Sequence, residues 1–532
     1  MHDKSRFSCA YHKNALYLQN INYNNRHHLM NILKDIFLRF PAIPVAVSVV
    51  AGILVGDRFQ YVEIWITIAA VLTLASMALQ KNSKLASTTI LAGFFSIGAF
   101  LSGIQQKEMN VTLPEGEISY KAVVINEARE HPKTWSADIE ITSGIMKGKV
   151  VKAYFLKEEG RIPIPTARFN ATSVLTLPQN IRNNQFDYAV YLRRHGISAT
   201  TLIAPWKYEQ KGFGTDGLSK IRASTAILCL MRLELMQEIS KWGLREDTES
   251  LIAGVALGQR HAIKNEIRET YSQAGASHIL ALSGLHLGII WSIFNIFCIG
   301  RLRTLGTMLS LFTIWAYTLF VGLPPSAVRA AIMLTIYSLA NLTNRQGASL
   351  NALAFSAIII LIINPVAIYD LGMQLSFSAV AFIIIFVPPF TNIVSQKWRL
   401  RHRIINKLWQ LCVLSIVANI GTLPLVVYNF SRVPIYVIAT NLLAIPLITI
   451  LLWLFALCML LMIVGAPDII FKSAIWLLDN TASVLNKSME LVASLPFSSI
   501  GDIHISAMQT VLLYCIFLCI SFSLLKSCHN GE

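Results

Sequence analysis

The chain has 532 residues, 54% of them hydrophobic and 14% charged, with a formal net charge of +16 at pH 7. Soluble domains are usually near one quarter charged, so the composition excludes an ordinary soluble enzyme or binding module and points to an integral membrane protein. The basic surplus does not by itself mean nucleic acid, because Lys and Arg gather in the cytoplasmic loops of membrane proteins.

Residues 1–104 predict a cytoplasmic N-terminal segment and three transmembrane helices near 41–57, 61–79 and 86–104. Each run is close to the roughly 17–25 residues that a bilayer requires. The first reads as an anchor, not a cleaved signal, since no A-x-A site follows it and further spans do. Lys4, Arg6, Lys13, Arg26, Lys34 and Arg39 precede it, and Lys81 and Lys84 follow the second span. Further spans are expected near 275–299, 304–321, 326–342, 350–364, 371–390, 408–430, 434–464 and 506–525, making about ten or eleven in all. The 434–464 run is too long for one upright pass. Arg301, Arg303 and the cluster Lys397, Arg399, Arg401, Arg403 and Lys407 are all cytoplasmic if residues 105–274 lie outside.

Residues 105–210 change character. EISYKAVVIN, WSADIEITS, KVVKAYFL and ARFNATSVLT read as short strands rich in Val, Ile, Thr and Tyr, with a helix over FDYAVYLRRHG starting near Asp187 and stopped by Gly196. Such strands suggest a small closed all-β barrel. From 105 to 218 there are 15 Lys and Arg against 12 Asp and Glu, a weak electrostatic footprint for DNA. Tyr120, Trp135, Tyr154 and Phe155 are either base-stacking platforms or core.

Residues 211–262 form a linker. Ile221, Leu228, Leu235, Ile239 and Trp242 give 218–242 an apolar face suited to a membrane surface. LIAGVALGQ places Gly254 and Gly258 four apart, in a run too short to span, as a re-entrant partner for another helix.

The central region, 263–464, holds the polar residues that are costly inside a bilayer and are therefore candidates for function. HILALSGLHLGII carries His278, Ser283 and His286. On one straight helix, advancing about 100° per residue, these share an arc while Gly284 and Gly288 fall opposite His286. That face would seat a neighbouring helix. GLPPSAVRAA puts Ser326 and Arg329 at a helix start, where backbone N–H groups and a guanidinium favour an anion such as phosphate; an ion pair with Asp370 is the alternative. Asp370, Gln374 and Ser378 make a stripe, Ser415, Asn419 and Thr422 another, and Asn441 opens the next span. Pro388, Pro424 and Pro446 end or interrupt spans. Residues 465–532 add an amphipathic segment, with Phe471, Ile475, Leu478, Ala482, Leu485, Met489 and Val492 on one face, and a last span.

Enzymatic motifs are not found in the sequence. Ser283 and His286 can touch but lack a G-x-S-x-G context, no H-E-x-x-H zinc motif occurs, and GIMKGKV falls one spacer short of a nucleotide-binding loop. No C-x-x-C is present, so neither a cofactor, a metal nor a disulfide framework is expected.

Taken in order, LIAGVALGQRHAI, HILALSGLHLGII, PPSAVRAAIM, NPVAIYDLGMQLSFSAVAF and TLPLVVYNFSRVPIYVIATNLLAIPL resemble the ComEC-type competence proteins, and NQFDYAVYLRRHGISAT is similar to the end of that family's soluble domain. The resemblance implies a polytopic α-helical bacterial inner-membrane protein. It would carry an inserted periplasmic OB-like β domain and a channel that passes one DNA strand into the cytoplasm. Its implied partners are single-stranded DNA, membrane lipid, a periplasmic DNA receptor and a cytosolic DNA translocase. The metallo-β-lactamase-like domain often found in the family is not expected after the last span of this sequence, so strand degradation is not assigned to it and a separate nuclease is the partner that the resemblance would then imply. A transporter of a small anionic solute, or an intramembrane hydrolase using Ser283, would use the same polar residues.

Overall fold

The computed structural model describes residues 40–59, 61–79, 81–158, 162–180, 187–295, 303–342 and 349–529. The basic residues of the N-terminal segment and Arg301 lie outside this set. The chain divides into two units, 1–103 with 343–365, and 104–342 with 366–532.

In the first unit, α1 (Ala42–Arg58), α2 (Val62–Ala78) and the first part of α3 (Ser83–Met109) follow the predicted spans. A Cβ at Gly52 would fall 2.0 Å from the carbonyl oxygen of Phe95, and one at Gly56 2.3 Å from that of Ala99. Only glycine lets these two backbones come so close.

In the second unit residues 117–213 carry a sheet of β1 (Glu117–Val124), β2 (Arg129–Glu130), β3 (Thr134–Ile141), β4 (Val150–Leu156), β5 (Ala167–Val174), β6 (Ile197–Ile203) and β7 (Tyr208–Phe213). They also hold α4 (Tyr188–Arg194). The strand order is β6-β4-β3-β1-β5-β7, with β2 on β3 and a parallel β4–β6 pair. An isolated bridge between Thr176 and Thr200, with Thr201 donating to the Val174 carbonyl at 2.9 Å, brings the β6 edge back to β5. Asp187 caps α4 by accepting from Val190 N–H at 2.9 Å, and Gly196 (φ +80°) follows its end. Tyr120 and Phe155 are core residues, not stacking platforms. Trp135 is half-buried under Lys157, and Tyr154 is half-buried near His131.

The helical remainder comprises α5 (Lys220–Ser240), α6 (Glu246–Val255), α7 (Asn265–Gln273), α8 (Ser277–Leu280), α9 (Gly284–Asn295), α10 (Arg303–Phe320) and α11 (Pro325–Leu342). Then come α12 (Ser349–Ile363), which belongs to the first unit, α13 (Leu371–Asn392), α14 (Gln396–Arg401), α15 (Arg403–Phe430), α16 (Val437–Val464), α17 (Asp468–Ala493) and α18 (Ala507–His529). Strands β8 (Val433–Pro434) and β9 (Ser499–Ile500) pair before α18. Among the described residues four helices are long and apolar enough to cross a membrane: Lys84–Met109, Leu371–Asn392, Arg403–Phe430 and Val437–Val464. Val62–Ala78, Gly284–Ile293, Leu350–Ile363 and Ala507–Phe517 are shorter apolar helices. The 28 residues of α16 extend about 42 Å, so one pass through a hydrocarbon core of about 30 Å has to tilt or protrude.

The apolar face predicted for 465–492 is buried in a core with α16, α6 and α7, through Leu478, Ala482, Leu485 and Met489. Of the face predicted for 218–242, Ile239 is buried and Trp242 packs against a buried core, whereas Ile221 departs from it. Ile221 is exposed while Arg232 is buried, because Arg232 Nη1 donates to the carbonyls of Val321 at 2.9 Å and Leu257 at 3.3 Å. Gly254 and Gly258 do not form a helix-packing face either. Gly258 lies beyond the end of α6 with φ +76°, and the space at Gly254 is filled by the Ile263 side chain.

Candidate functional site: a helix break beside a buried ion pair

The expected single helix over 275–299 is broken. Helix α8 ends at Leu280, Ala281 is extended, and α9 starts at Gly284. The local reason lies in S-G-L-H. Ser283 stands at the N-cap of α9 and His286 at its third position. The Ser283 hydroxyl accepts from Leu285 N–H at 3.3 Å, and His286 Nδ1 accepts from Ser283 N–H at 3.2 Å. This is a reciprocal capping box with His where Glu or Gln usually stands, satisfying N–H groups that a helix start leaves orphaned. The Ser283 hydroxyl also lies 3.0 Å from Nδ1. A serine–histidine contact of that kind resembles a hydrolytic pair, but here the imidazole nitrogen is already committed to a backbone donor. An Nδ1 that accepts leaves the proton of the neutral ring on Nε2. His286 is fully buried, and its Nε2 has no partner.

The N-terminus of α11 meets this break. Ser326 donates to the carbonyl of Leu282 at 2.6 Å, satisfying an acceptor that the interruption sets free. A Cβ at Gly284 would sit 3.5 Å from the Ala330 methyl, an ordinary contact, and one at Gly288 would meet nothing within 4 Å. The two glycines therefore do not seat a helix closely as the wheel predicted, because that wheel assumed a continuous helix.

One turn further along α11, buried Arg329 pairs with Asp370, Nη1 to Oδ2 at 2.7 Å. Asp370 also caps α13 through Gly372 N–H at 3.2 Å. A Cβ at Gly372 would stand 2.7 Å from Arg329 Nη2, so glycine there leaves room for the guanidinium. Arg329 Nε has no partner.

Arg260, on the short turn Arg260–Ala262, brings a second guanidinium. Its Nη2 is 3.5 Å from Ser326 Oγ, and its charge is within electrostatic reach of His286, Arg329, Asp370 and Tyr191. From the β domain, Arg194 lies over the Tyr369 ring at 4.2 Å, and Tyr191 faces His195 at 4.1 Å. Burial pushes the Tyr191 phenol above its ordinary range. Beside this region a polar cavity of about 200 Å³ lies between the β domain and the turns after α6 and α10, with Arg129, Lys152, Arg232 and His261 in its wall. His261 Nε2 is 3.2 Å from Glu127 there.

Of the predicted site residues, Ser283, His286, Ser326, Arg329 and Asp370 thus come together. His278 is exposed on α8. Gln374 is exposed and donates to the Ile368 carbonyl at 3.0 Å, so it serves the turn before α13. Asn419 is half-buried on α15. Asn441 is buried on α16 with its Oδ1 unpartnered. No described hydrogen bond ties either asparagine to the break. Spacing singles out neither Arg260 nor Gly372, because neither is a polar residue inside an apolar run.

The pattern that defines the competence protein family matches residues 255–527, just over half of the chain, and spans every element of this site apart from the β-domain contacts. The chain is 30% identical over 208 residues to "ComE operon protein 3" of Bacillus subtilis, covering 39% of this chain and 25% of that protein. It is 24% identical over 275 residues to the uncharacterized protein YcaI of Escherichia coli, covering 48% and 35% respectively. "Recombination protein 2" of Haemophilus influenzae is 22% identical over 242 residues, covering 45% and 28%. The chain therefore spans about a quarter to a third of these relatives. No solved structure matches it. With the match running through the broken helix, the Arg329–Asp370 pair and the helices that carry them, the chain belongs to the competence protein family of the ComEC type.

Proposed function

We propose that the protein is a channel of the bacterial inner membrane that passes single-stranded DNA into the cytoplasm during natural transformation. The observation that carries this reading is the interrupted helix at Ala281–Ser283. Non-helical backbone at membrane depth is tolerated where it is buried in protein or lines a cavity, and here it adjoins Arg329, Arg260 and two helix N-termini. Positive charge and free donors suit a phosphate backbone and carry no sequence preference. The β domain, whose strand order returns on itself as β1-β3-β4-β6-β5, supports an OB-like barrel facing the periplasm. On this reading Ser326 and Arg329 border the path, with His278, Gln374, Asn419 and Asn441 further along it. A periplasmic receptor would deliver DNA and a cytosolic translocase would draw it in.

The test is deletion of the gene in a transformable host. Labelled DNA held outside the inner membrane is scored separately from DNA that reaches the cytoplasm. Loss of cytoplasmic DNA with surface capture retained, restored by the wild-type gene, is the expected result. Undiminished transformation would overturn the proposal.

A further inference from the structure

The break between α8 and α9 adjoins side-chain donors that have no acceptor. Two helix N-termini meet there, those of α9 and α11, joined by the Ser326–Leu282 bond. Each presents the partial positive charge of a helix start. Two side-chain donors at the junction are more than nine-tenths buried and have no partner: His286 Nε2 and Arg329 Nε. A buried donor without an acceptor costs about 1–3 kcal/mol, more when charged, so such groups call for an explanation. The capping box sharpens the point, because it fixes the histidine tautomer. While Nδ1 accepts from Ser283, Nε2 is a donor and not an acceptor. Arg260 and Arg329 against Asp370 leave one net positive charge, which matches the single negative charge of a phosphodiester.

We infer that this junction is a binding site for one phosphodiester group, in which His286 Nε2–H, Arg260 and Arg329 donate to the phosphate oxygens, and that Ser283 acts as the positioning residue that sets the histidine for it. The inference rests on the DNA-import reading for the origin of the diester, but the site itself stands on the donors.

His286→Asn and His286→Gln separate the two roles of the ring. Asn Oδ1 occupies the place of Nδ1, keeps the cap and removes the outer donor; Gln reaches the place of Nε2 and returns one. The full chain in nanodiscs is titrated with labelled oligothymidylate carrying phosphodiester linkages and with the same oligomer carrying neutral methylphosphonate linkages. His286→Asn is expected to bind the phosphodiester oligomer about tenfold more weakly than wild type, the loss of one charge-assisted hydrogen bond. His286→Gln should stay within about threefold, and all three proteins should bind the neutral oligomer equally weakly. Arg260→Gln, which leaves the cap untouched, should repeat the loss and carries the test if His286→Asn fails to fold. Equal affinity of wild type and both variants for the phosphodiester oligomer would overturn the site. A second arm separates the two readings: dimethyl phosphate is added during thermal unfolding. If it stabilises wild type but not His286→Asn while neither oligomer binds wild type, the site stands and the DNA reading falls. If it stabilises both proteins equally, the site falls.

Discussion

Two Gly-x-x-x-Gly spacings in this chain have opposite uses. Gly52 and Gly56 stand on one continuous helix, and the backbone of α3 lies where their side chains would be. Gly284 and Gly288 carry the same spacing, yet Gly284 opens a helix and Gly288 faces empty space. The difference lies in the neighbours. Around Gly52 every side chain is apolar or small, so packing decides. Ser283 stands before Gly284 and His286 two residues after it, and their reciprocal cap restarts the helix. A spacing motif therefore acquires meaning only when the backbone it assumes is continuous.

Several substitutions can break or sharpen this contrast. The largest effect is expected from Gly52→Ala, whose methyl would lie 2.0 Å from a backbone oxygen that cannot step aside. Destabilisation of about 3 kcal/mol or more is expected, read as a lowered midpoint of thermal unfolding in detergent. The matching change Gly288→Ala should instead be neutral or gain about 0.5–1 kcal/mol, since alanine suits a helix interior better than glycine. If the two changes behaved alike, the contrast would fail. Next comes Gly372→Ala, whose methyl would press on Arg329 at 2.7 Å. About 1–3 kcal/mol is expected from that crowding, together with weaker DNA import than Ala367→Gly on the short turn before α13. Ser283→Ala removes the cap of α9 and should cost about 1 kcal/mol, with Ser283→Thr close to wild type.

The smallest effect concerns the cap of α4. Backbone hydrogen bonding from Val190, then Asn180, holds the Asp187 carboxyl below its ordinary value. Its folded pKa is thus depressed, so its contribution is complete above the unfolded value and disappears as pH falls through the folded one. Asp187→Asn keeps a good cap without the titration, and the acid limb of its unfolding midpoint against pH should be slightly flatter than that of wild type.

Legibility in the sequence follows the same division. Continuous helices with one dominant periodicity were readable: the buried stripe Leu478, Ala482, Leu485 and Met489 of α17 came straight from spacing, and the start and stop of α4 from Asp187 and Gly196. Residues whose role depends on a distant partner were not. Arg232 reads as a solvent-facing charge until the carbonyls of Leu257 and Val321 close on it. Arg329 admitted two readings, and its partner Asp370 lies 41 residues away. The break at Ala281–Ser283 escaped because hydropathy averages over a window, whereas one serine and one histidine decide whether a helix continues. Arg260 carries no periodic signal, and only the fold brings it to the junction.

The central claim is that the region around Arg329 conducts DNA, and one substitution pair tests it most directly. Arg329→Gln together with Asp370→Asn removes both charges at once, so neither is left buried without its partner. The deletion strain is complemented with this double variant and given labelled DNA. The account predicts a protein that reaches the membrane, DNA captured outside it, and little or no labelled strand in the cytoplasm. Cytoplasmic DNA at the wild-type level would mean that Arg329 serves only to neutralise Asp370, and would contradict the account.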